Sequence, residues 1–303
     1  MLASLLTTLF FSLSVVFANR SITHLGSARA NLSRLTLAAL LLALYSHSFG
    51  IGLGGSGVYY FFFSGLIGFG LGDLALFQAI PRLGSRLTIL MTQCLAAPLA
   101  ALIEWLWLGT TLTGLQIASG LTILCGVALA IASKEHQHRP ASVLRWGLFY
   151  GFFSALGQGW GAVISRKAFE VDQLAGISIN GVNAAYQRIL GGLLIAAIAY
   201  VVLGGRFDLA SPTDDAATSK EKNRWKKALP WIVLNSLCGP VLGVSCYQWA
   251  LGELPTGIVL SVVATTPLAI MPFTFAMEGD KPTWRSFVGA LIAVLGVVAL
   301  ALH

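Results

Sequence analysis

The chain has 303 residues, 56% of them hydrophobic and only 10% charged, with a mean hydropathy of +0.79. Soluble proteins carry roughly 25% charged residues, so a water-soluble enzyme or binding domain is excluded. At about 20 apolar residues per crossing, the length fits ten transmembrane helices with no soluble domain beside them. The net charge of +7 does not point to nucleic acid, because the basic residues fall between apolar runs and read as membrane-orientation signals.

Apolar runs predict spans over residues 2–19, 27–46, 58–80, 87–108, 113–132, 145–165, 177–203, 228–250, 255–276 and 283–302. Helices are expected because an open strand cannot satisfy its backbone groups in lipid, and the runs lack the alternation of a barrel strand. Span one contains Val16-Phe17-Ala18, which looks like a cleavage site, yet no positive charge precedes it, so it is read as a retained span. Span three carries GFGLGDLALFQAIPRLG, Gly68 to Gly84, with Asp73 inside it. A carboxylate near a helix centre costs about 2.5 to 3.5 kcal/mol on insertion scales, so Asp73 must face protein or water. Two roles are open to it: binding a cation, a proton or an amino group in a cavity, or pairing with an arginine or capping a broken helix. Gln78, five residues on, lies about 140° round the helix and need not share that face.

Span four offers Gln93 and a bend at Pro98; span six offers Gln158 and Trp160. Between spans five and six, SKEHQHRPASV contains His136 and His138, with no further ligands nearby, so no metal site is expected. Span seven holds NGVNAAYQRIL, in which Asn180, Asn183 and Gln187 recur at helical spacing beside Tyr186 and Arg188. Such a stripe lines a cavity or hydrogen-bonds a neighbouring helix. Arg188 is deep enough to need a partner, and its depth suggests Asp73. The loop Gly204 to Lys227 is aperiodic and polar and reads as flexible. Span eight contributes Tyr247 and Gln248, and span nine is interrupted at Thr265-Thr266-Pro267. The four cysteines all fall in apolar runs and read as packing residues.

The second half repeats the first. Gln78 aligns with Gln248, Pro98 with Pro267, Gly120 with Gly289 and Gly126 with Gly296, all at an offset of 169 or 170, and Arg34 aligns with Arg188. The halves are residues 1–132 and 145–303, joined by a linker, 133–144. Five spans is an odd number, so the second half enters the membrane from the opposite face. The expected fold is an all-α polytopic membrane protein of ten transmembrane helices, arranged as two inverted five-helix repeats. Equivalent positions add cavity candidates: Gln78 with Gln248, Phe77 with Tyr247, and Ser14 with Trp160, Gln158 lying one turn away.

All but four of the 19 lysines and arginines lie in the odd-numbered connections, from Arg20 to Arg285. The exceptions are Arg34 and Arg188 within spans and the neighbours Arg166 and Lys167. The positive-inside rule then places both termini outside.

Ten helices in two halves, SVVFANR (Ser14 to Arg20) and WGAVISR (Trp160 to Arg166) in spans one and six, an arginine opening spans two and seven, and a glycine-rich fifth helix together resemble the EamA type of the drug/metabolite transporter superfamily. The resemblance covers the whole chain. It departs from the family at the Leu-Gly-Glu that usually follows span four, here LGTT and MEGD, in lacking the usual tryptophan of the first helix, and in the orientation, since members are commonly drawn with both termini inside. The resemblance implies a secondary transporter of the plasma or inner membrane that exports an amino-acid-like or drug-like metabolite by alternating access around a midplane cavity. Its partners are then the lipid bilayer and the small-molecule substrate, with a proton on Asp73 as the candidate coupling ion, a monomeric state, and no nucleic acid.

No catalytic residue, metal, cofactor or nucleotide motif is expected. An intramembrane enzyme is the alternative from another class, but it needs a nucleophile with a base, or a metal cluster, and the five histidines are dispersed over span ends and loops. A channel or a non-transporting scaffold is separated from a carrier by saturable exchange in liposomes.

Overall fold

The computed structural model describes residues 1–108, 113–131, 140–203 and 217–302. Among them the chain forms ten helical rods and no strand. The first half contains α1 (Leu2–Leu25), α2 (Ser27–Phe49), α3 (Val58–Leu83), α4 (Ser85–Leu108) and α5 (Gly114–Ile131). The second contains α6 (Ala141–Leu174), α7 (Gly181–Leu203), α8 (Ala217–Ser236, continuing through Leu237–Gly243 to Val244–Glu253), α9 (Thr256–Glu278) and α10 (Trp284–Ala301). Seven rods, α1–α4 and α7–α9, are long and apolar enough to cross a membrane, and α5 and α10 are shorter apolar helices. Glycine, serine and glutamine dilute α6, whose aromatic side chains Trp146, Phe149, Phe152 and Phe153 point outward.

Several boundaries differ from the sequence expectation. Helix α6 runs on to Leu174, and α7 starts at Gly181 because the Asn180 side chain accepts the Asn183 backbone N–H (2.8 Å), as an N-cap does. The expected linker yields its last residues to α6, which begins at Ala141. Helix α8 begins at Ala217, inside the loop read as flexible, where lysine and glutamate favour helix and Arg29 pairs with Glu221 at 3.1 Å. His136, His138 and Asp214-Asp215 lie outside the described residues.

Two connections are single residues. Gly26 joins α1 to α2 and Gly84 joins α3 to α4, both at φ 83°, a conformation in which a Cβ is strained. The helices pack as an inverted pair of halves should. Helix α1 packs on α8 as α6 packs on α3; α4 packs on α6 as α9 packs on α1; α2 pairs with α7 and α5 with α10. In the α5–α10 pair a Cβ on Gly126 would fall 2.7 Å from the Gly289 carbonyl oxygen, and one on Gly289 would fall 2.6 Å from that of Gly126, so both glycines are needed for the backbones to approach.

The halves also share a defect. Helix α3 contains a π segment, Leu66–Gly72, and α8 contains one at Leu237–Gly243. Each is glycine-containing, and each ends one residue before Asp73 or Val244. A π turn holds an extra residue and turns the following side chains about the axis, which is why such segments collect at functional sites. Pro98 sits inside the unbroken α4, whereas its counterpart Pro267 restarts α9 after a turn at Ala264 and Thr265.

Candidate functional site

Helices α1–α4 and α6–α8 enclose a cavity at mid-depth with room for the centre of a water-sized sphere over about 60 Å³. A single water needs roughly 10–15 Å³ by that measure, so a few waters or one small solute fit. The walls mix aromatic rings from Phe11 and Phe69 with polar groups from Ser14, Thr92, Gln93, Ser154, Gln158 and Tyr247. The charged groups are Arg34, Asp73 and Arg188.

Asp73 pairs with Arg34, whose Nη2 donates to Asp73 Oδ2. This corrects the expected Asp73–Arg188 pair: α2 packs against the part of α3 that follows the π segment, while α7 crosses α3 nearer its start. The guanidinium of Arg34 is further fixed by Asn31 Oδ1, which accepts from Nε at 3.1 Å, and by stacking over Phe77 at 4.6 Å. Ser14 donates to Asn235 Oδ1 (2.7 Å), tying α1 to α8 at the same level.

Arg188 stacks over the Phe69 ring at 5.3 Å. Gly68 and Gly161 make its space, since a Cβ on Gly161 would lie 2.6 Å from Arg188 Nη2 and one on Gly68 closer still. No ion pair or hydrogen bond joins Arg188 to another described residue, and its Nε is buried without a partner. Gln93 Oε1, Gln158 Nε2 and Tyr247 OH, which also line the cavity, are buried without partners. An unmet buried polar group costs about 1–3 kcal/mol, so four around one space form a patch of unused hydrogen-bonding capacity in its wall.

Hydrogen bonds tie the bundle together at each of its two ends. At the end carrying the α2–α3 connection, Asn183 Oδ1 accepts the N–H groups of Ile51 and Gly52 (3.0 Å each), and its Nδ2 donates to the Gly52 carbonyl (3.0 Å). Gln187 Nε2 donates to the carbonyls of Gly52 (3.0 Å) and Gly54 (2.7 Å), and Asp172 Oδ1 accepts the Gly57 N–H (2.7 Å). At the opposite, lysine- and arginine-rich end, Glu278 Oε1 accepts from Asn19 Nδ2 (2.8 Å) and Ser85 Oγ (2.7 Å). There Arg20 also donates to the Met277 carbonyl, and Arg86 lies 3.4 Å from Asp280.

Of the residues singled out in the sequence, Ser14, Asp73, Gln93, Gln158, Arg188 and Tyr247 meet at the cavity. The others do not. Asn183 and Gln187 clamp the α2–α3 loop, Tyr186 hydrogen-bonds His47 (3.1 Å), and Asn180 caps α7 beside a surface pocket of about 780 Å³. Gln78 accepts from Arg82 Nη1 (2.7 Å) on the side of α3 away from the cavity, Trp160 points outward, and Gln248 is buried behind Tyr247 with its amide unpartnered. Arg34 was the residue missed; its alignment with Arg188 in the repeat was the available signal. No group of three or more metal-binding side chains occurs among the described residues.

The EamA-like transporter family model matches residues 1–132 and 145–302. The chain belongs to that family. The drug/metabolite transporter superfamily is its wider group, so this EamA-like protein is a multi-pass integral membrane protein of a family that transports small substrates. A solved structure titled only as the crystal structure of a protein is similar over 99% of this chain and 95% of its own, with a TM-score of 0.64 at 16% identity, which is a likeness of fold. No curated protein matches. The orphaned polar groups of the cavity thus belong to an EamA-like helical scaffold.

Proposed function

We propose that this EamA-like protein is a secondary transporter that carries a small, amino-acid-like metabolite outward across the plasma or inner membrane by alternating access, acting as a monomer. The two halves, residues 1–132 and 145–303, are its moving bodies. The observation that carries the reading is the mid-depth cavity, small, lined from both halves and carrying charged and unpartnered polar groups on a largely apolar wall, with the loop clamp toward one end and the Glu278 latch toward the other. A carrier needs a central site and two closures that open in turn. The orphaned donors and acceptors favour a small polar solute over a large apolar drug.

A proton is the coupling ion in this reading, and Asp73 is its carrier. Arg34 and a proton compete for the same carboxylate, so protonating Asp73 frees the guanidinium and loosens α2 from α3. The test is counterflow in liposomes with a labelled amino-acid library. Saturable exchange of one solute, inhibited by its unlabelled form, is expected. Asp73→Asn is expected to abolish uphill accumulation while sparing exchange. Non-saturating flux would make the protein a pore, and accumulation unchanged in Asp73→Asn would remove the proton from the mechanism.

A further inference from the structure

The two halves build one arginine cradle twice. Arg34 is the eighth residue of α2 and Arg188 the eighth of α7, each helix being 23 residues long. Each guanidinium lies by the third residue of a π segment in the other half. Arg34 lies beside Gly239, where a Cβ would be 3.2 Å from its Nη1, and Arg188 lies beside Gly68. The residue that directly follows each π segment should then decide the charge. After the first it is Asp73, which neutralises Arg34; after the second it is Val244, a buried cavity residue that offers Arg188 nothing.

The cavity consequently holds two guanidiniums against one carboxylate, a net charge of +1. The Arg34 cradle is satisfied from within. The Arg188 cradle, with the donors Gln158 Nε2 and Tyr247 O–H in the same wall, has Asp73 within electrostatic reach and the Gln93 amide oxygen in the same cavity, but no carboxylate of its own and no hydrogen-bonded acceptor. A buried charge is strongly unfavourable without a counter-charge, and a guanidinium presents a planar fork that fits a carboxylate in bidentate fashion.

We infer that Arg188 is the anion-recognition residue of the cavity, and that the solute bound there is a small organic monocarboxylate whose carboxylate occupies the place that Asp73 occupies in the other half. The proposal rests on the transporter reading only for the solute's passage, not for its binding. A single uncompensated charge in a space of about 60 Å³ matches a monoanion better than a phosphate dianion. The absence of a carboxylate at position 244 is thus a specificity feature: the cargo supplies the missing symmetry element.

The test reads binding without transport. Thermal unfolding of the purified protein is followed against propionate, propionamide, propylammonium, inorganic phosphate and chloride, all at matched ionic strength. Propionate is expected to raise the midpoint in a saturable way while the amide and the ammonium do not. Arg188→Gln is expected to abolish the response, and Arg188→Lys to raise the half-saturating concentration by about tenfold or more. Val244→Asp is expected to raise the midpoint on its own and erase the propionate response, with Val244→Asn doing neither. An equal response to propionamide, no response to any carboxylate, or a response surviving in Arg188→Gln overturns the proposal. A response to phosphate or chloride equal to that to propionate overturns the carboxylate assignment. If Val244→Asp does not fold, the Arg188 variants still decide. Failure of counterflow with an intact propionate response would remove the transporter reading alone, and transport indifferent to Arg188 would remove this inference alone.

Discussion

Replacing Asn183 by alanine tests the loop clamp most directly. Its side chain makes three hydrogen bonds to the α2–α3 loop, accepting the N–H groups of Ile51 and Gly52 and donating to the Gly52 carbonyl, each at 3.0 Å. At about 0.5–1.5 kcal/mol net per bond, loss of three weakens loop docking by roughly 2–4 kcal/mol. Gln187 continues to hold the carbonyls of Gly52 and Gly54, which keeps the loss near the lower part of that range. Every 1.4 kcal/mol is about tenfold in an equilibrium, so the open population of the loop rises by about 30-fold to 100-fold. Amide hydrogen exchange on a peptide covering residues 50–57 reads this population. The expected result is faster exchange by that factor in the loop, with the α3 and α7 interiors unchanged. Asn183→Asp keeps the acceptor and loses only the donated bond, so it should fall between the wild type and alanine. Unchanged loop exchange in Asn183→Ala, or a uniform rise over the whole chain, would refute the idea that this side chain holds the loop.

Arg34→Gln leaves Asp73 buried without its counter-ion, which should cost about 3–5 kcal/mol and lower the unfolding midpoint clearly, whereas the exchange Arg34→Asp with Asp73→Arg should recover part of it; equal loss in single and double variants would dissolve the pair. Gly84→Ala forces a Cβ onto a φ of 83° between α3 and α4, so a loss of about 1 kcal/mol or more is expected, measured by thermal or denaturant unfolding. Glu278→Ala removes the acceptor for Asn19 and Ser85 and should open the basic end, seen as faster amide hydrogen exchange on a peptide covering residues 82–88; unaltered exchange would show that the latch holds nothing. Reporter fusions at either terminus that are active only in the cytoplasm should be silent, because the basic connections mark the opposite end as cytoplasmic.

The ten helices were legible because lipid leaves a chain few choices: each apolar run must satisfy its own backbone, so run length translates into a span. The partner of Asp73 was not. Arg34 and Arg188 stand at the same position of equivalent helices, so depth alone cannot choose between them, and the choice is made by how α2 and α7 cross α3. The amide stripe of α7 shows the same limit. Its spacing correctly puts Asn183 and Gln187 on one face, but periodicity does not say what lies opposite. The answer is a glycine-rich loop whose exposed backbone groups need donors and acceptors of just that kind. The π segment of α3 adds a turn error that sequence counting at 100° per residue does not carry, and it falls directly before Asp73.

An inverted repeat with identical halves would have two facing states of equal energy, since exchanging the halves exchanges the states. Every departure from symmetry is therefore a term that separates them. Two sets of departures bear on the balance, one at the two ends of the bundle and one in the cavity. One end is held by the neutral amides of Asn183 and Gln187 and by the buried Asp172 carboxylate, all bonded to backbone, which salt screens little. The other is held by Glu278 and by the buried Arg86 with Asp280, whose half-buried carboxylate is reached by solvent ions that screen the pair. In the cavity, Asp73 pulls α2 toward α3 while Val244 leaves α7 and α8 without the matching attraction. A carboxylate bound at Arg188 would supply that attraction and bring the two halves nearer to equivalence. A cargo that lowers the difference between two facing states also lowers the barrier a resting preference imposes, which is what a carrier requires if it is to move faster loaded than unloaded.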